Sequence, residues 1–113
     1  MKFRHLSAVV SVIALQQICI TGSAFAHDSG RAIYDSICSA CHAPENVMVS
    51  SPKAGDAAEW ANRLSKGLEK LTDNALNGIG AMPPKGGASE LSREQLRQAI
   101  RYMAEPQKRG DAR

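Results

Sequence analysis

Aromatic residues make up only 4% of this 113-residue chain, as one Trp, two Tyr and two Phe, and both phenylalanines, Phe3 and Phe25, fall in the first 26 positions. A core built on stacked rings is therefore excluded. Cysteine is equally sparse, with Cys19, Cys38 and Cys41 alone, too few for a disulfide-stapled scaffold. There is no internal repeat, no low-complexity tract and no alternation of apolar and polar residues long enough to be a strand. A strong charge of either sign is also missing, because the formal net charge is +3 and nothing in it suggests nucleic-acid binding.

What is present begins with an address. Lys2, Arg4 and His5 form a positive start, Leu6 to Leu15 an apolar stretch, and Ala24, Phe25, Ala26 a small-residue cleavage site. Together these read as an export signal over residues 1–26, cleaved before His27. Gln16 and Gln17 interrupt the apolar run, which argues against an uncleaved anchor, and no membrane insertion is expected after cleavage. Cys19 lacks the small preceding residues of a lipoprotein signal. Two of the fourteen Lys and Arg lie in this segment, so the domain at 27–113 keeps twelve against eleven acidic groups and a net charge of +1. The expected location is the periplasm.

Residues 27–113 contain eighteen side chains from Val, Ile, Leu, Met, Tyr and Trp, a marginal core for one small domain. An apolar cofactor would supply the missing bulk. The helical expectation is all-α, with about four short helices. Asp28 or Ser29 caps the first, which runs to about Cys38 with Ile33, Tyr34 and Ile37 on one face. Asp56, with Glu59 three residues on, opens the second, which Gly67 ends. Thr72 caps a short third over residues 73–77, closed by Gly78. Ser92 and Gln95 form a capping box for the last, in which Leu96, Ala99, Ile100 and Met103 recur at helical spacing until Pro106. The segment from Ile79 to Ser89 is too rich in Gly and Pro for a helix of any length.

The chemistry lies in Cys38-Ser-Ala-Cys41-His42, the attachment motif of a c-type haem. Two thiols one helical turn apart match the two vinyl arms of the porphyrin, and the adjacent His42 becomes the proximal iron ligand. A zinc site needs about four Cys or His ligands, and only His27 remains to join these three. A thioredoxin-like pair needs a βαβ context, which is absent. For the second axial ligand the best candidate is Met82, in a loop stiffened by Pro83 and Pro84. A thioether there raises the reduction potential; the alternative is a methionine that only fills the core. Met48 is too near His42 to cross the ring, and Met103 belongs to the helical stripe. The other nitrogen of His42 should donate to a carbonyl, with Pro52 a plausible acceptor. Trp60 and Arg63 are candidate haem-propionate partners, or simply core and a solvated helix residue.

These residues bring the chain close to a known family. It resembles the class I bacterial cytochromes c, most of all the cytochrome c-five type, through the segments 33–42, 52–56, 58–63, 75–78, 82–87 and 100–103. The resemblance implies an all-α fold whose terminal helices cross near Gly30 and Tyr34 on one side and Ala99 and Tyr102 on the other. It places the axial ligands on His42 and Met82 and the thioether bonds of one haem c on Cys38 and Cys41. Many members carry an extra cysteine pair where this chain has Ala88 and Leu91, so the ligand loop here lacks that bridge.

The function expected is one-electron transfer, not enzymatic turnover, between redox partners such as a periplasmic or membrane-bound dehydrogenase, reductase or oxidase. A dedicated haem subunit of an oxidoreductase complex is the alternative, and a peroxidase-like or gas-binding haem would need an open coordination position. Lys53, Lys66, Lys70 and Lys85 lie in segments able to border an exposed haem edge, against the plainer reading of solvated lysines.

Overall fold

A computed structural model describes residues 22–106. Most of the expected signal segment, Cys19 included, and the charged tail from Gln107 therefore lie outside the described residues. Five helices appear in the order α1 (Gly22–Ile33), α2 (Ser39–His42), α3 (Ala57–Leu64), α4 (Leu68–Asn77) and α5 (Arg93–Ala104). A π-helical turn, Tyr34–Cys38, joins α1 to α2 without a break, so the expected architecture of four helical rods holds. No extended strand occurs among the described residues, only a single bridge between Ile79 and Met82.

The first rod is longer than expected at both ends. In the unprocessed chain it starts at Gly22, before Asp28 and Ser29, so neither caps it there. It continues past Cys38 to His42. At the expected first residue of the processed chain, His27 lies 3.2 Å from Glu105 and edge-on to Tyr102 at 5.3 Å, tying the two ends of the domain together.

The crossing of α1 and α5 is the centre of the fold. A Cβ built on Gly30 would sit 2.4 Å from the Gln98 carbonyl oxygen and 3.2 Å from the Tyr102 Cβ, so only glycine allows the two backbones this close. One turn on, the Tyr34 and Tyr102 rings meet at 5.3 Å. Leu96, Ala99, Ile100 and Met103 are buried along α5 with Trp60, Leu71 and Leu91, the stripe that the spacing in α5 dictates. The Ser92 hydroxyl accepts from the Gln95 N–H, and the Gln95 side chain accepts from the Ser92 N–H at 2.8 Å, which starts α5 as expected.

Two boundaries differ. Gly67, in the left-handed half of backbone space at φ 95°, precedes α4, while α3 has already ended at Leu64. Thr72 is not a cap but an interior residue of α4, fully buried, its hydroxyl donating to the Leu68 carbonyl at 2.8 Å. That back-bond satisfies the hydroxyl inside the helix and removes the need for a new start there. On the outside, Arg93 reaches Asp73 at 2.6 Å and Glu69 at 3.0 Å, and Arg97 reaches Glu69 at 3.5 Å, a network that registers α4 against α5.

Candidate haem site

The attachment motif sits where the first rod ends. In the π turn the Ser39 N–H donates to the Tyr34 carbonyl, five residues back, which inserts one extra residue into the helix immediately before Ser39. Hydroxyls support the irregularity: Ser36 donates to the Ala32 carbonyl at 2.8 Å and Ser39 to the Asp35 carbonyl at 3.0 Å. Such turns re-aim the side chains that follow them and concentrate at functional sites. Cys38 emerges half-buried against the core and Cys41 exposed. Burial, with the neighbouring Cys41 thiol, pushes the Cys38 thiol up to about 11, and the two sulfurs are not bonded to each other.

His42 is buried, and its Nδ1 lies 2.7 Å from the Pro52 carbonyl oxygen. A carbonyl can only accept, so Nδ1 carries the proton and the Nε2 lone pair is the one left to bind iron. The same loop satisfies the end of α2 carbonyl by carbonyl. Ser39 O accepts from Ala43 N at 3.1 Å, Ala40 O from the Asn46 amide, and His42 O from Ala54 N at 2.8 Å. Cys41 O takes two donors, the Ser51 hydroxyl at 2.6 Å and the Lys53 ammonium at 3.0 Å. A helix end normally leaves four such carbonyls without intrahelical partners; here the 43–54 loop meets all four and is thereby fixed against the motif.

Trp60 and Arg63 both have partners within the protein. The indole has one donor, and it goes to the Lys53 carbonyl at 2.8 Å, with the ring 6.4 Å from that of His42. Arg63 folds back on Glu59 at 3.2 Å within its own helix. Both contacts have a local cause: Asp56 caps α3 through the Glu59 N–H at 3.0 Å, which sets Trp60 beneath the loop and Arg63 one turn beyond Glu59.

Met82 closes a tight turn. Ile79 and Met82 exchange both backbone hydrogen bonds, at 3.0 and 3.1 Å. Gly78 before them has φ 82°, and a Cβ there would strike the Met82 carbonyl oxygen at 2.9 Å and the Pro84 ring at 3.0 Å, so the turn requires glycine. After Pro83 the chain makes a 3₁₀ turn, Pro84–Gly87, in which Lys85 takes φ 57° and its ammonium donates to the Ser89 carbonyl at 2.8 Å. A Cβ on Gly86 would lie 3.3 Å from Ile37 Cγ2, which brings the methionine loop alongside the segment that leads into Cys38. Met82 is half-buried against the core, Met103 is fully within it, and Met48 is 90% exposed. At the end of this loop, Leu91 N donates to Ala88 O at 3.1 Å and Leu91 is buried.

The donor set suits a covalently held haem: two unpaired thiols a helical turn apart, a buried imidazole with its tautomer fixed, and a proline-stiffened methionine loop alongside Ile37, the residue before Cys38. Apolar side chains stand exposed in both loops, Val47 at 84% and Ile79 at 55%, surface that a planar apolar group would help to cover.

Residues 25–103 match the family described as cytochrome c oxidase, cbb3-type, subunit III. The chain is 38% identical over 106 residues to cytochrome c-555 of Chlorobaculum tepidum, with 88% of this chain and 94% of that one aligned. Cytochrome c5 of Azotobacter vinelandii is 37% identical over 78 residues, covering 67% and 92%. Among solved structures, a chain of a complex described as nitrite reductase with cytochrome c superposes with a TM-score of 0.60 at 41% identity, covering 67% of this chain and 90% of that one. The chain therefore belongs to the class I c-type cytochromes, and within them to the c5 type. It carries one covalently attached haem c and transfers electrons rather than catalysing a reaction of its own. No helix among the described residues is long and apolar enough to cross a membrane.

Proposed function

We propose that this cytochrome is a periplasmic one-electron carrier whose iron is held by His42 and Met82, with Cys38 and Cys41 as the thioether anchors and residues 1–26 removed on export. The observation that carries the reading is the buried His42 ring, oriented by the Pro52 carbonyl at 2.7 Å, because a histidine fixed in that tautomer offers one nitrogen and one direction to a metal. When bound, the haem supplies the one-electron couple. The chain does the rest: the thiols anchor, Pro52 orients the imidazole, and Met82 presents a thioether that favours the reduced iron. Met82 suits the role through its loop, which Gly78 turns and Pro83 stiffens beside Ile37.

Partners of the redox-enzyme class follow from the structural neighbour, which was solved as an electron-transfer complex with a nitrite reductase. Exposed lysines contribute little to a specific docking reading: of the four lysines in these segments, Lys53 and Lys85 are bound to backbone carbonyls, and Lys66 and Lys70 are plainly exposed. A second reading, a resident haem subunit of an oxidase, is favoured by the description of the matched family; gel filtration of the native protein separates the two, since a stable heteromer contradicts free diffusion.

The ligation is tested by Met82→Ala. The haem stays covalently attached, the potential falls, and external ligands such as cyanide or imidazole bind readily. An unchanged potential with no new ligand binding would make Met82 a core residue only.

A further inference from the structure

Lys53 has a task that neither a docking lysine nor a solvated one would have. Its ammonium donates to the Val49 carbonyl at 2.8 Å, the Cys41 carbonyl at 3.0 Å and the Ser51 hydroxyl at 3.1 Å, which uses all three of its protons. Cys41 O belongs to the carbonyl end of α2, where the helix dipole favours a cation. The backbone of the same residue is equally engaged, since Lys53 O accepts from the Trp60 indole at 2.8 Å and from Asp56 N at 3.1 Å. The residue before it is Pro52, whose carbonyl receives the His42 proton. On either side, Ser51 N is bound to Val49 O at 3.0 Å and Ala54 N to His42 O at 2.8 Å.

We propose that Lys53 is a positioning residue for the haem-ligating imidazole: its ammonium pins Val49 and Cys41 together, and so holds the Pro52 carbonyl on Nδ1 of His42. This rests on His42 as the iron ligand. The ammonium touches neither the imidazole nor any group bound to it. It acts through the loop, closing the carbonyl end of the helix that bears His42 onto the segment that bears Pro52. The consequence is an imidazole whose ring plane stays fixed, because the partner that sets it cannot drift.

The test is the exchange of the His42 Nδ1 proton in the reduced, diamagnetic holoprotein, followed by proton NMR after transfer to heavy water. In Lys53→Met that proton exchanges about tenfold faster, the factor set by losing a charge-assisted hydrogen bond, while the Ala99 and Ile100 amides in the core keep their rates. Lys53→Arg, which keeps donors and charge, recovers most of the protection. Ring exchange that is unchanged in Lys53→Met overturns the proposal, and so does acceleration of the core amides by the same factor, which marks a general loosening. Should Lys53→Met give no holoprotein, Ser51→Ala, which removes the other donor to Cys41 O, is measured by the same criteria. The absorption spectrum of each sample separates the premises: loss of the low-spin, six-coordinate pattern in the unmutated protein refutes the ligation, whereas an intact pattern with unaltered exchange refutes only the role of Lys53.

Discussion

At the α1–α5 crossing, Gly30 lets two backbones meet and the side chains of Tyr34, Ala99, Tyr102 and Met103 fill the space around them. The two loops of the candidate haem site, residues 43–56 and 78–91, are instead held polar group by polar group: Lys53, Ser51, Asn46 and Ala54 on the end of α2, Ile79 on Met82, Lys85 on Ser89. In these segments only Ala43, Ala54 and Leu91 are buried apolar residues, while Val47, Met48 and Ile79 face outward. One region is thus stabilised by burial that the chain supplies itself, and the other by backbone bonds arranged around a group that it does not encode. In a domain this small, the second region depends on that group for its hydrophobic share.

Withholding the haem should separate the two regions most strongly. Cys38→Ser with Cys41→Ser abolishes covalent attachment, read as loss of the haem band on a denaturing gel. Hydrogen exchange should then show the 43–56 and 78–91 segments opening before the α1–α5 crossing. If the crossing melts with them, the two regions are one cooperative unit and the contrast fails. Next in size is Gly30→Val. Its Cβ meets main chain, which cannot swing aside, so overpacking costs about 3 kcal/mol by chemical denaturation, the upper part of the usual range. The spectrum of the bound haem stays the same, because the loops are not touched.

A smaller effect sharpens the crossing itself. Burial first, then the charges of Glu45, Tyr102 and Asp35, raises the pKa of Tyr34 above its usual 10.0. The unfolded chain therefore loses that proton first, the folded state binds more protons than the unfolded one, and stability falls as pH rises from about 10 toward the folded value. Tyr34→Phe flattens that alkaline slope. Denaturation midpoints measured between neutral pH and pH 11 check it, and an unaltered slope would place the alkaline loss elsewhere.

The same division explains what was legible in the sequence. The α5 capping box, the stripe from Leu96 to Met103, the Asp56 start and the Gly78 turn are local signals with fixed spacings, and each stands where it was expected. The attachment motif was equally plain. Thr72 misled because a threonine that caps and one that back-bonds to Leu68 look alike in a sequence. The π turn at Tyr34–Cys38 has no periodic signature, since Ser36 and Ser39 are as common in ordinary helices and loops. Lys53 was hidden for a third reason. Its partners, Cys41 and Val49, are main-chain carbonyls, which every residue possesses, so nothing about the identity of positions 41 and 49 announces them.

The proposed ligation has an imidazole and a thioether holding the iron together. Its most direct measurement is the near-infrared spectrum of the oxidised protein, exported from a host that attaches haem. The thioether-to-iron(III) charge-transfer band should be present in the unmutated protein and lost in Met82→Ala. A high-spin spectrum without that band in the unmutated protein would contradict it.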